Sequence, residues 1–104
     1  MNPTARPGIS VIVPCRNEAR NLGECLRSML AQDCPPMEII VIDDGSTDGS
    51  ADIVRCLAED SPIPLLLCDG PHRGAAAARN RGAARAKAEV IVFVEADENV
   101  QVTL

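Results

Sequence analysis

Four short apolar runs, Ile9–Val13, Glu38–Ile42, Ile63–Cys68 and Val90–Val94, recur along the chain with none alternating between apolar and polar residues. A strand with one wet face alternates, whereas a strand covered on both faces does not, and unalternating strands belong to parallel sheets sandwiched by helices. β-Branched residues fill the first, second and fourth runs, as strands prefer. The segments between them change period. Leu22, Cys25, Leu26, Met29 and Leu30 stand at i, i+3, i+4, i+7 and i+8, an apolar stripe of helical spacing, and Ile53, Val54, Leu57 and Ala58 repeat it. Residues 75–88 are mostly Ala and Arg, both strong helix formers, with Gly82 as a weak point that costs about 1 kcal/mol relative to Ala. Pro35-Pro36 and Ser61-Pro62 close the first two helices, and residues 46–50 offer several N-caps for the second.

The order is therefore β-α-β-α-β-α-β. Right-handed crossovers between parallel strands predict a Rossmann-like sheet of about four strands in spatial order 3-2-1-4, with helices on both faces. In such a sheet the first and fourth strands are neighbours and the winding reverses between them. Ligands of open α/β sheets bind outside the carboxyl ends of the strands at that reversal.

A length of 104 residues suits one domain, and an apolar share of 46 % is enough for a core built almost without aromatics, Phe93 being the only one. We divide the chain into a flexible N-terminal segment, 1–8, and a ligand-binding part, 9–104. The net charge of −5 argues against nucleic acid as a partner, because a phosphate-backbone binder presents a basic face. The longest apolar stretches fall far short of the ~20 residues that span a bilayer, and the first eight residues hold no apolar signal core, so a cytoplasmic location is expected for this stretch, though the parent protein could be membrane-associated. Five cysteines without a C-x-x-C pair read as small buried thiols in a reducing compartment.

The unusual polar residues collect at the carboxyl ends of the strands. Pro14-Cys15-Arg16-Asn17-Glu18 follows the first, Asp43-Asp44-Gly45-Ser46-Thr47-Asp48 the second, and Glu95-Ala96-Asp97-Glu98 the fourth. Glu95 and Asp97 are two apart, so an extended backbone turns both carboxylates to one side. Like charges so close repel unless a cation sits between them, and hard oxygen ligands suit Mg²⁺ or Mn²⁺; a solvated acidic turn is the plainer explanation. A carboxylate of the second cluster can accept from a nucleobase N–H or ribose hydroxyl, or can cap the helix that follows. Before the alanine-rich helix, residues 71–74 bring a helix N-terminus with free N–H groups to the same rim, suited to a diphosphate; His72 within them reads as a solvated loop residue. The chain contains no G-x-G-x-x-G, G-x-x-x-x-G-K-[ST] or G-x-S-x-G, which weakens dinucleotide, P-loop and hydrolase assignments.

Taken in order, Ser10–Pro14, Asn17-Glu18, Ile40–Asp48, Gly74 with Ala78–Gly82, and Phe93–Asp97 resemble the family 2 glycosyltransferases of the GT-A fold, over about residues 10–98. The resemblance implies that Pro14, Asn17 and Glu18 receive the nucleoside, that Asp44, with Asp43 beside it, pairs with the base, that Arg79 supports the phosphate side, and that Glu95 and Asp97 occupy the D-x-D position, where the last carboxylate holds a divalent metal, Mg or Mn. Arg16 stands where many members carry an aromatic, so ring stacking on the base would be replaced by guanidinium stacking or lost. Glu95 replaces the first Asp and lengthens that arm by one methylene.

The activity so implied is inverting transfer of a sugar from a nucleotide diphosphate, UDP- or GDP-linked, to an acceptor hydroxyl. The general base is expected beyond Leu104, so no catalytic residue is assigned in this chain. It is expected to be a truncated portion of a longer enzyme and to transfer little sugar alone. The fourth strand would form an open sheet edge, through which a homodimer could pair. The alternatives are a sugar nucleotidyltransferase, which would need a Gly-rich basic turn after the first strand, and a non-catalytic Rossmann-like nucleotide-binding or assembly module with a degenerate site.

Overall fold

A computed structural model of the chain describes residues 8–96. Its elements are β1 (Ile9–Cys15), α1 (Ala19–Leu30), β2 (Glu38–Asp43), α2 (Ser50–Glu59), β3 (Leu65–Asp69), α3 (Ala75–Arg85) and β4 (Val90–Phe93). The strands form one parallel sheet in the order β3-β2-β1-β4. That is the expected topology.

Side-chain alternation on the central strands divides the core in two. Val11, Val13 and Cys15 of β1 and Ile39 and Val41 of β2 pack with Leu22, Cys25, Leu26 and Met29 of α1 and Val54 of α2. On the other face Ile12, Ile40 and Ile42 pack with Ala78 of α3. Most of these side chains are fully buried, each contributing on the order of 2 kcal/mol. Gly82 belongs to this second layer. A Cβ there would overlap Cγ2 of Ile12 and approach Ile42, so the residue that weakens α3 as an isolated helix lets it lie close against the sheet.

Expectation and structure part in several places. Cover on both faces holds for β1 and β2 but not for the outer strands: β3 exposes Leu66, and β4 exposes Val90, Ile91 and Phe93 at 42 %, 36 % and 48 %. The three described helices leave parts of both outer strands uncovered. The third strand starts two residues later than expected, after Pro64, which has no N–H to give a ladder although its carbonyl accepts from Ile39. The first helix ends at Leu30, before the prolines. The third ends at Arg85 rather than residue 88, because the next free amides are captured elsewhere. Lys87 N–H donates to Glu38 Oε2 at 2.7 Å and Ala88 N–H to Ser10 Oγ at 3.1 Å, while Ser10 Oγ itself donates to Glu38 at 2.6 Å. Glu38, only 3 % exposed, is thus a buried carboxylate with its partners supplied. Contrary to expectation, the cysteines are not uniformly buried: Cys34 and Cys56 are exposed, and only Cys15 and Cys25 are buried. Of the segment 1–8, only Gly8 lies within the described residues, and its carbonyl accepts from Val90.

Candidate nucleotide-sugar site

At the carboxyl ends of the strands the turns interlock. Asn17, at φ 54°, turns the chain from β1 toward α1 in the left-handed region that Asn tolerates. Its Oδ1 accepts from Thr47 N–H at 2.8 Å. In return, the loop after β2 supplies acceptors for three successive amides: Asn17 N–H donates to Ser46 Oγ at 2.9 Å, Glu18 N–H to Ser50 Oγ at 3.2 Å, and Ala19 N–H to Asp48 Oδ2 at 3.0 Å. The N-terminus of α1 is capped by side chains some thirty residues away, and its own cap residue, Glu18, makes no capping bond.

Asp48 serves α2 as well, accepting from the N–H and hydroxyl of Ser50 at 3.1 and 2.5 Å. The Ser50 hydroxyl, and then the Ala19 amide, hold its carboxyl below the usual carboxylate range. Asp43 closes the turn beneath, its Oδ1 accepting from Ser46 N–H at 3.0 Å.

Asp44 is 6 % exposed and is tied to the β3–α3 loop. Its Oδ1 accepts from His72 N–H at 2.6 Å and its Oδ2 from Gly74 N–H at 3.1 Å. The resemblance implied only a base contact for this residue; the loop partners could not be read from spacing. Across the rim, Glu95 Oε1 accepts from Arg79 at 2.9 Å, joining α3 to the chain beyond β4.

Between these groups lies a cleft of about 310 Å³ lined by Pro14, Cys15, Arg16, Glu18, Asp44, Gly74, Ala75, Ala78, Glu95 and Ala96. Of the residues expected at the site, Pro14, Arg16, Glu18, Asp44 and Glu95 face it. Asn17 and Asp43 brace the turns, and Arg79 reaches it through Glu95. Asp97 lies outside the described residues. The first turn of α3 was expected on this rim, and it offers the cleft unobstructed amides: Gly74 makes no side-chain cap bond and no acidic residue follows in the first turn. Cys15 was not expected to line the site. Burial pushes its thiol up, against hydrogen bonds with Ser50 and Ser46. Among the described residues no three His, Cys, Asp or Glu side chains cluster as a metal site. No described helix is long and apolar enough to cross a membrane.

A parallel 3-2-1-4 sheet with helices on both faces and a polar cleft at its switch point is the nucleotide-binding architecture of GT-A glycosyltransferases. The chain belongs to glycosyl transferase family 2, which matches residues 10–102. It is 39 % identical over its whole length to the uncharacterized glycosyltransferase YibD of Escherichia coli K12, of which it covers 29 %. Among solved structures, the mannosyltransferase PcManGT from Pyrobaculum calidifontis, in complex with GDP-Man and Mn²⁺, superposes with a TM-score of 0.82 at 40 % identity, over 91 % of this chain and 29 % of that one. S. aureus TarS 1-349 in complex with UDP-GlcNAc superposes with a TM-score of 0.70 at 31 % identity, over 86 % of this chain and 26 % of that one. The chain thus spans less than a third of the length of these relatives.

Proposed function

We propose that this chain holds the nucleotide diphosphate sugar of a family 2 glycosyltransferase, and that the longer protein of which such chains form part transfers the sugar, with inversion, to an acceptor hydroxyl. The observation that carries the reading is the single cleft shared by Asp44, Glu95 and the first turn of α3. Asp44 accepts from the ring N–H of the base, with Pro14, Arg16, Asn17 and Glu18 shaping the nucleoside side. The amides at the start of α3 receive the diphosphate, where a helix N-terminus favours negative charge. Arg79 holds Glu95 toward the same phosphates.

A divalent cation fits this chemistry. Glu95 offers a hard oxygen at the cleft, 47 % exposed, and Asp97 two residues on would offer a second; the phosphate oxygens of the ligand supply the rest, which explains why no cluster of three side chains is needed. Glu95 and Asp97 would hold Mg²⁺ or Mn²⁺, which would supply positive charge against the leaving diphosphate. The relative with GDP-Man and Mn²⁺ supports this reading, as does the one with UDP-GlcNAc for the uridine alternative. Pairing of two copies along the exposed β4 edge is part of the same proposal, checked by sedimentation; monomer alone at high concentration discards it.

Calorimetric titration with UDP or GDP, with and without Mn²⁺, tests the core of the reading. Metal-dependent binding is the expected result. Absence of binding under both conditions rejects it in favour of a non-catalytic module with a degenerate site.

A further inference from the structure

We propose that the β3–α3 segment Gly70–Gly74 is the base-specificity element of the site, acting through Asp44 with backbone groups alone. The inference rests on the reading of Asp44 as the residue that meets the base.

Three observations on the segment converge. Its backbone supplies both donors to the Asp44 carboxylate, the His72 and Gly74 amides. Both residues adopt positive φ, 59° for His72 and 97° for Gly74, the first an uncommon conformation for a non-glycine residue, and the N–H groups of both point at one carboxylate. Its first residue, Gly70, is anchored by a bond from its N–H to Asp43 O at 2.8 Å, and a Cβ there would stand 2.5 Å from Asp44 Oδ1 and 2.9 Å from Asp44 Cα.

A carboxylate held by two amides is fixed in place, with lone pairs left to accept from the cleft. It therefore favours a base that presents a ring N–H, as uracil and guanine do. Cytosine presents a lone pair at the equivalent nitrogen, which an immobile anion repels. A carboxylate free to swing away would lose that discrimination.

The test is a titration of the chain with UDP, GDP and CDP. The wild type is expected to bind UDP or GDP at least ~tenfold more tightly than CDP. In Gly70→Ala, whose methyl displaces Asp44, the ratio should fall toward one while CDP affinity stays within about twofold. Gly74→Ala, which meets open space but strains the left-handed backbone, should do the same and carries the test if Gly70→Ala does not fold. His72→Asn, which tolerates positive φ and keeps its amide, should preserve the ratio. Equal weakening of all three nucleotides in both glycine variants would mark a merely structural loop and overturn the inference alone. A wild type that binds no nucleotide overturns it together with the reading on which it rests.

Discussion

The guanidinium of Arg79, on α3, lies 2.9 Å from the carboxylate of Glu95, two residues past the end of β4. Both side chains are partly open to solvent, at 35 % and 47 %, so the pair adds little to folding; exposed ion pairs contribute roughly 0–1 kcal/mol. Its effect should fall on ligand binding. Arg79→Ala is expected to leave the urea unfolding free energy within about 1 kcal/mol of wild type and to weaken UDP or GDP binding several-fold. A large stability loss with unchanged binding would assign the pair to the scaffold.

Gly82 separates two opposed effects. Alanine there should favour the isolated helix by about 1 kcal/mol. The added methyl meets Ile12 and Ile42, and overpacking of this kind costs about 1–3 kcal/mol. Gly82→Ala is therefore expected to lower the urea midpoint at unchanged slope, and a raised midpoint would show that the helix propensity outweighs the contact with Ile12.

Asp48 sets an acid dependence. Its carboxyl is lowered in the folded chain, so the unfolded state binds the proton more readily. The stabilisation is present in full above the ordinary carboxylate value and is lost as pH falls through the lowered folded one. Asp48→Asn should be less stable than wild type near neutrality, with the gap closing in acid below the usual carboxylate range. Parallel unfolding curves at every pH would remove Asp48 from the account.

Glu38 fastens the lower end of the sheet. Truncation in Glu38→Ala would leave the Ser10 hydroxyl and the Lys87 amide without their buried acceptor, a loss of about 1–3 kcal/mol for each group stranded. Destabilisation should appear in chemical unfolding, while nucleotide binding, at the opposite end of the strands, should change little.

Much of the architecture was readable from the residues. Unbroken β-branched runs and two apolar stripes of helical spacing determine a parallel α/β sheet, and crossover handedness determines its order. What periodicity cannot report is coverage, since Ile91 and Phe93 look like core in a string of letters and are exposed in the structure, at 36 % and 48 %. Nor can it report long-range capture of single donors. The shortened end of α3 depends on Ser10 and Glu38, and the capping of α1 depends on Ser46, Asp48 and Ser50. The density of Asp and Ser in residues 43–50 signalled a site, but the same residue types also serve as caps, and only geometry assigns Asp48 to the helices and Asp44 to the cleft.

The borrowed caps bear on how such a chain can be varied by recombination. A crossover point placed between residues 19 and 43 would unite one parent's first turn with another's second, and three amides would lose the oxygens that match them. The two turns are thus inherited profitably only as a pair, and chimeras joined after residue 50 should survive where those joined between the turns do not.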